Sequence, residues 1–160
     1  MSLVIREPQG GEHAWIERFL TGAWGSTTVV SRGTAHDASR LPALLAVENS
    51  EIVGLATFRL ADGDCELVTL DALRPGQGIG SALLSAVGED AGRHGCDRLW
   101  LITSNDNLNA IHFYQRRGMR LVAVHRGAID EARRIKPSIP LIGEHGIPIH
   151  DEVEFELPLG

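Results

Sequence analysis

A glycine-rich loop between a predicted strand and a predicted helix constrains this chain more than any other feature. The loop reads Arg-Pro-Gly-Gln-Gly-Ile-Gly-Ser over residues 74–81. From 78 to 94 the apolar residues then recur at intervals of three and four, as in a helix packed on a sheet. Glycines let the backbone approach an anion, and the free N–H groups at a helix start can donate to it. The loop therefore indicates a phosphate site, although glycines can also serve only to turn the chain.

Two common phosphate-binding motifs do not fit this loop. The dinucleotide fingerprint Gly-x-Gly-x-x-Gly/Ala fails because its third position falls on Ser81 or Leu83. A Walker loop needs a Gly-Lys pair, and the single lysine, Lys136, follows an isoleucine. The Walker class is therefore excluded, and a dinucleotide-binding fold is disfavoured.

Short apolar segments around the loop predict a sheet. Three strands at 43–48, 52–60 and 65–73 are joined by Asn49-Ser50 and Asp62-Gly63, which are short hairpin connections. The continuous apolar run 99–103 predicts a central strand covered on both faces. Further strands are expected at 3–6, 27–31, 121–124 and 153–157. One helix is expected around 15–20, ending near Gly22, and another over 107–117. A polar loop is expected through His36 and Ser39, and irregular chain over 126–150. The pattern predicts one domain, 1–160, of mixed α/β class with a mostly antiparallel central sheet flanked by helices.

Composition narrows the function classes. The formal net charge is −6 and no basic run is present, which disfavours nucleic-acid binding. No apolar stretch reaches membrane-spanning length and the N-terminus does not resemble a signal peptide, so we expect a cytoplasmic protein without a membrane partner. Cys65 and Cys96 show neither metal spacing nor a disulfide framework. His145 and His150 lie near three carboxylates, but not at the spacing of one helical face, and we expect no metal.

The order of these elements resembles the GNAT superfamily of acetyl-CoA-dependent N-acetyltransferases. A strand, the glycine loop, a long helix and a buried strand precede a helix that carries Asn109, Ala110, Phe113 and Tyr114 ahead of Arg117-Gly118-Met119. The resemblance covers roughly residues 52–124. It implies the acyl-CoA N-acyltransferase fold and acetyl-CoA as cosubstrate.

The family loop pattern is Gln/Arg-x-x-Gly-x-Gly/Ala, and Gly78 and Gly80 fit its last two positions. Pro75 occupies the first position and Arg74 lies one residue earlier, which leaves a direct arginine contact open. The resemblance implies that the cofactor's pyrophosphate is bound by backbone N–H groups of Gln77, Gly78, Ile79, Gly80 and Ser81.

The implied chemistry needs a base, an acid and donors for the reacting carbonyl. An alkyl ammonium is only about one part in 10³ deprotonated at pH 7, so a carboxylate or histidine should accept its proton. Glu66 is the first candidate; Asp71, expected on the opposite face of the strand by alternation, and a water bridged to a histidine are alternatives. Tyr114, the single tyrosine, is the candidate acid for the departing thiolate, with a packed aromatic as the competing interpretation.

Further residues are implied on the cofactor side and on the acceptor side. The family fold implies unpaired backbone donors near Leu70 and Ala72, where the strand should diverge from its neighbour. Asn109 is expected either to contact the cofactor or to cap its helix. Candidates for acceptor contact are Trp24, Thr27, His36, Lys136 and His150.

The resulting prediction is direct transfer of an acetyl group to a primary amine of a small molecule or peptide in a ternary complex. The alternative to an enzyme is a non-catalytic acyl-CoA-binding or sensory module of the same fold. The sequence also leaves open whether a longer acyl group is transferred and whether the protein forms a homodimer.

Overall fold

Nine strands and four helices follow one another along residues 2–160, the part of the chain that the computed structural model describes. The strands are β1 (Val4–Arg6), β2 (Thr28–Ser31), β3 (Thr34–Asp37), β4 (Ala43–Glu48), β5 (Glu51–Ala61), β6 (Asp64–Ala72), β7 (Arg98–Ser104), β8 (Arg120–His125) and β9 (Glu152–Pro158). The helices are α1 (Glu12–Trp24), α2 (Ile79–Arg93), α3 (Leu108–Arg116) and α4 (Ala128–Ile135).

Seven strands form one sheet in the order β1-β4-β5-β6-β7-β9-β8, while β2 and β3 form a separate hairpin. Every pair in the large sheet is antiparallel except β6 with β7. This confirms the predicted mixed α/β class with a mostly antiparallel sheet. The parallel pair arises because α2 carries the chain back across the sheet, as a parallel connection requires.

The predicted meander is formed by β4, β5 and β6. Asn49 and Ser50 connect the first two strands with φ of 52° and 65°, and Asp62 and Gly63 connect the next two with φ of 56° and 78°. Two consecutive residues with positive φ form the turn whose twist matches that of paired strands. The turn chemistry in the sequence therefore sets the register of this half of the sheet.

Two apolar cores lie on opposite faces of the sheet. One contains the inner residues of α2 and β7 and is joined by the aromatic residues of α3, and the other lies under α1. Helix α2 approaches β5 so closely that a Cβ on Gly54 would be 2.6 Å from Ile79 Cγ2. Glycine at this position therefore allows the helix that follows the glycine loop to lie directly on the sheet.

A β-bulge in β6 changes which residues share a face. The pairing with β5 runs from Thr57↔Thr69 to Phe58↔Leu67, which leaves Val68 as an extra residue. Glu66 and Asp71 consequently project to the same face, the one covered by α1 and the β2–β3 hairpin. Their predicted placement on opposite faces was wrong, because strict alternation fails across a bulge.

The structure also differs from the prediction at three other segments. Residues 34–37, expected as polar loop, form β3 and pair with β2. Within the segment 126–150, expected to be irregular, residues 128–135 form α4, with Ile129 and Ala132 buried. Helix α1 continues past Gly22 and ends at Trp24, and Gly25, with φ of 82°, caps it.

Within residues 2–160, no helix combines the length and the apolar character needed to cross a membrane.

Candidate active site

The site forms where β6 and β7 diverge. Within residues 2–160 the two strands pair only at Cys65↔Leu99 and Glu66↔Trp100, so beyond Glu66 the β7-facing edge of β6 has no strand partner there. A groove of about 250 Å³ opens beside this edge. It is lined by Leu70, Ala72, Gly80, Asn109, Ala110, Phe113 and Tyr114. The predicted residues Leu70 and Ala72 therefore lie with Asn109 and Tyr114 in one groove.

The glycine loop meets the same groove at the start of α2. Gly78 has φ of 74°, in the left-handed region that favours glycine, and a Cβ there would meet no atom within 4 Å. Within residues 2–160, no backbone N–H from position 76 to 81 has a hydrogen-bond acceptor. A row of unsatisfied donors at a helix start attracts anions, both through its N–H groups and through the helix dipole. The loop has the geometry of an anion site.

Arg74 turns away from this row of donors. Its Nη1 lies 3.2 Å from Glu48 Oε1, and its Nη2 donates a short hydrogen bond to Glu51 Oε2. Its positive charge is thus already compensated by two carboxylates. The open question of a direct Arg74 contact to a loop-bound anion therefore finds no support in this geometry.

Tyr114 points its ring into apolar surroundings, where it packs edge-on against Phe113 at 5.3 Å between centroids. Burial and, to a lesser degree, the nearby negative charge of Asp71 raise the pKa of its hydroxyl. That hydroxyl has no hydrogen-bond partner within residues 2–160. It is a neutral proton donor that a bound molecule could reach.

Asp71 lies at the end of β6, close to Tyr114. Trp24 Nε1 donates a hydrogen bond to Asp71 Oδ2 at 3.1 Å, and the carboxylate forms no ion pair within the described chain. Burial raises the pKa of Asp71, while the indole hydrogen bond opposes the shift. A carboxylate in this setting is available both to bind a cation and to accept a proton.

Glu66 has different surroundings. Its side chain is 2% exposed, accepts a hydrogen bond from Ser31 Oγ at 2.5 Å and pairs with Arg59 Nε at 2.9 Å. It lines a separate cavity with Arg98 and Trp100. The structure therefore does not place Glu66 in the groove that holds Tyr114. Asp71 does not line that groove either, because it projects from β6 to the α1 side, between Leu70 and Ala72, but its charge is close enough to act on Tyr114.

Asn109 is not the residue that caps α3. Asn107 occupies the N-cap position, and its Oδ1 accepts a hydrogen bond from the backbone N–H of Ala110 at 3.2 Å. Asn109 instead lines the groove. Of the two interpretations left open by the sequence, helix capping is therefore excluded by the structure.

Of the residues expected to contact the acceptor, Lys136 and His36 lie at or beside the β2–β3 hairpin, whereas His150 lies against Asp130. Lys136 Nζ donates to the backbone oxygens of Thr28 at 2.8 Å and Trp24 at 3.3 Å, and so ties the end of α4 to the end of α1. His36 Nε2, in the β2–β3 hairpin, is buried without a hydrogen-bond partner in the described chain. His150 instead contacts Asp130, with 3.0 Å between Nδ1 and Oδ1. Residues 2–160 hold no group of three or more His, Cys, Asp or Glu side chains that could bind a metal.

A mixed sheet with two diverging central strands, a glycine-rich helix start and an aromatic-lined groove matches the arrangement that the resemblance to acyl-CoA-dependent acyltransferases implies. The sequence profile of the acetyltransferase (GNAT) family matches residues 6–119, and the chain belongs to that family. The chain is 39% identical to the uncharacterized protein YdhI of Bacillus subtilis (strain 168) over 97% of both chains. It is 35% identical to YxbD of the same organism, over 86% of this chain and 87% of that one.

Solved structures with low sequence identity share the fold. An IAA acetyltransferase from Bacillus cereus superposes with a TM-score of 0.76 at 21% identity, over 99% of this chain and 100% of that one. A Bacillus subtilis acetyltransferase in complex with CoA superposes with a TM-score of 0.71 at 18% identity, over 99% of this chain and 100% of that one. A GNAT family acetyltransferase from Elizabethkingia anophelis with acetyl-CoA bound superposes with a TM-score of 0.69 at 21% identity, over 98% of each chain. The acyl-CoA N-acyltransferase fold expected from the sequence is thus confirmed.

Proposed function

We propose that this protein transfers an acetyl group from acetyl-CoA to a primary amine of a small molecule or peptide, directly and within a ternary complex. The observation that carries the proposal is the placement of Asp71 and Tyr114 where β6 and β7 diverge. One is a carboxylate without an ion pair, and the other is a hydroxyl without a hydrogen-bond partner in the described chain. Together they provide a proton acceptor and a proton donor close to each other, with the donor in the groove.

The residues present fit acetyl-CoA. Free N–H groups over residues 76–81 provide donors for a pyrophosphate, and the groove that leads from them along β6 suits a pantetheine arm. Relatives of the same fold contain CoA or acetyl-CoA. The cosubstrate supplies an activated acetyl thioester. The unpaired edge of β6 at Leu70 to Ala72 supplies backbone donors for the carbonyl oxygen as negative charge develops on it.

Asp71 is the base that the geometry favours. It forms no ion pair within residues 2–160, burial raises its pKa, and it lies close to Tyr114. A base with a raised pKa accepts a proton from an ammonium more readily than an ordinary aspartate does. Glu66 stays a prediction for the same role, but a base there would have to break its contacts with Arg59 and Ser31.

Tyr114 is the acid in this proposal, and its charge environment couples it to Asp71. Burial raises the pKa of Tyr114, and the negative charge of Asp71 raises it further before the reaction. When Asp71 accepts the proton of the amine, that charge disappears and the phenol becomes a stronger acid. The hydroxyl can then protonate the departing thiolate as the new C–N bond replaces the C–S bond, and the resulting phenolate takes up the second proton that the nitrogen must lose to become a neutral amide. In this proposal, loss of the first amine proton to Asp71 precedes protonation of the thiolate by Tyr114.

The same carboxylate indicates what kind of acceptor binds. A cationic ammonium can neutralise Asp71 and contact the indole of Trp24, which is 39% exposed. The carboxylate then removes a proton from the ammonium that it has bound. We therefore propose an acceptor that arrives as a protonated primary amine.

Release of free CoA thiol from acetyl-CoA, measured across polyamines, amino acids, aminoglycosides and peptides, tests the function. Turnover with one class of primary amine is expected, with the new amide confirmed by mass spectrometry. Binding of CoA without turnover on any amine would instead favour the non-catalytic acyl-CoA-binding module. Acetylation of a hydroxyl in preference to an amine would refute the N-acetyl assignment.

A further inference from the structure

Arg117 follows the last residue of α3 and rests on the first turn of α2. Its Nε donates a hydrogen bond to Ser81 Oγ at 2.6 Å, and its Nη1 donates to the backbone oxygen of Phe113 at 3.1 Å. Its Cζ lies 3.7 Å from the centroid of the Phe113 ring. Phe113 in turn packs on Gly80, where an added Cβ would lie 3.1 Å from the ring. An arginine side chain is thus fixed at the edge of the glycine loop.

The charge of this arginine is not compensated. Arg117 forms no ion pair within residues 2–160, and its Nη2 has no hydrogen-bond partner there. Arg74, the arginine that the loop sequence suggests, is instead paired with both Glu48 and Glu51. Of these two arginines, only Arg117 combines an available donor with contact to a residue of the loop.

We propose that Arg117, and not Arg74, supplies the side-chain positive charge that binds the phosphate groups of the acyl-CoA cosubstrate. This inference rests on the proposed function, because it assigns a residue of the proposed cosubstrate site. Nη2 meets a phosphate oxygen while Nε keeps its contact with Ser81. A guanidinium with several donors suits a phosphate, and stacking on Phe113 restricts its rotamers before the ligand arrives.

Isothermal titration calorimetry on the full chain tests the assignment with three ligands: CoA, 3′-dephospho-CoA and acetylpantetheine, which has no phosphate. Arg117→Gln is expected to weaken CoA binding by about 10-fold or more, the effect of losing a charge-assisted hydrogen bond. Arg117→Lys should restore part of the affinity. Arg116→Gln is the matched control, because this neighbouring arginine is the exposed last residue of α3 and has no ion pair in the described chain. Arg74→Gln should leave CoA affinity unchanged.

The ligands distinguish the phosphates. A loss with CoA but not with 3′-dephospho-CoA assigns Arg117 to the 3′-phosphate, and an equal loss with both assigns it to the pyrophosphate. Either result supports the proposal, provided that acetylpantetheine binds wild type and Arg117→Gln alike. Equal weakening of acetylpantetheine would show that Arg117 acts only by packing on Phe113, and unchanged CoA affinity in Arg117→Gln would equally overturn the proposal. Absence of CoA binding by the wild-type protein would refute the proposed function itself, and the assignment of Arg117 with it.

Discussion

The indole of Trp24 donates a hydrogen bond to the carboxylate of Asp71 across 3.1 Å, and so joins the end of α1 to the end of β6. This contact has two effects on the candidate base. It fixes the direction of one carboxylate oxygen, and it stabilises the charged form against the burial that raises the pKa. Lys136 holds the backbone of the same tryptophan from the end of α4, so two helices support the position of one carboxylate.

Trp24→Phe is therefore expected to raise the pKa of Asp71 further, because the donor that favours the carboxylate is lost. A base must be deprotonated to act, so the acid limb of the pH profile of kcat/KM should move to higher pH. The profile should be measured with wild type and variant on the best amine. Trp15→Phe is the control, because that indole stacks on Phe19 and does not contact Asp71. A limb that stays in place would show that Asp71 does not set the acid limb.

Asp71→Asn should lower turnover by about 10²-fold near neutral pH, the usual contribution of a positioned base. Activity should recover in part at high pH, where free amine replaces ammonium. Affinity for CoA, measured by calorimetry, should be nearly unchanged. An equal loss at every pH would indicate that Asp71 has a structural role.

Glu66→Gln separates the two candidate carboxylates. It leaves the guanidinium of Arg59 without its carboxylate, and we expect a loss of about 1–3 kcal/mol in the free energy of unfolding. Since Arg59 is 31% exposed, solvent compensates part of that loss. Turnover per folded molecule should change only a few-fold. A loss of about 10²-fold that recovers at high pH would instead identify Glu66 as the base.

Tyr114→Phe removes a hydroxyl that makes no hydrogen bond in the described chain, so stability should change little. If the hydroxyl protonates the thiolate, turnover should fall by about 10- to 10³-fold with little change in KM for acetyl-CoA. A thioester with a more acidic leaving thiol should then rescue the variant more than the wild type. An equal response of both proteins would leave Tyr114 as a packed aromatic.

The meander, the glycine loop and α2 could be predicted because local chemistry determines them. Asn49-Ser50 and Asp62-Gly63 specify two-residue turns, and the three- and four-residue repeat after Gly78 specifies a helix. The relation between Glu66 and Asp71 could not be predicted in this way. It depends on a bulge at Val68 in the pairing with β5, and no residue at that position signals one.

Helix α4 was missed for a different reason. Pro137, Pro140 and Pro148 suggested irregular chain over the whole segment, but all three follow the helix. The available signal was the charge pattern, with Asp130 and Glu131 in the first turn and two arginines in the last, which suits the helix dipole. The role of Arg117 had no such signal, because its contact with Ser81 joins residues 36 positions apart.

The left-handed glycine at the start of α2 permits a matched test of the cosubstrate site. Gly78 and Gly95 both have φ of 74°, both would place a Cβ in open space, and they lie at opposite ends of α2. An alanine at either position is strained by about 1–2 kcal/mol, so Gly78→Ala and Gly95→Ala should lose similar stability. They differ in whether the added methyl group lies beside the free N–H groups of residues 76–81.

Thermal unfolding with and without CoA distinguishes the two variants. At a concentration of roughly 100 times Kd, CoA should stabilise the wild type by about 2.7 kcal/mol, which corresponds to roughly 5–10 °C in Tm. Gly95→Ala should lower the starting Tm but keep this shift. Gly78→Ala should lose most of it, because the methyl group prevents close approach of a phosphate to the backbone. A full CoA shift in Gly78→Ala would mean that phosphates do not bind at the glycine loop.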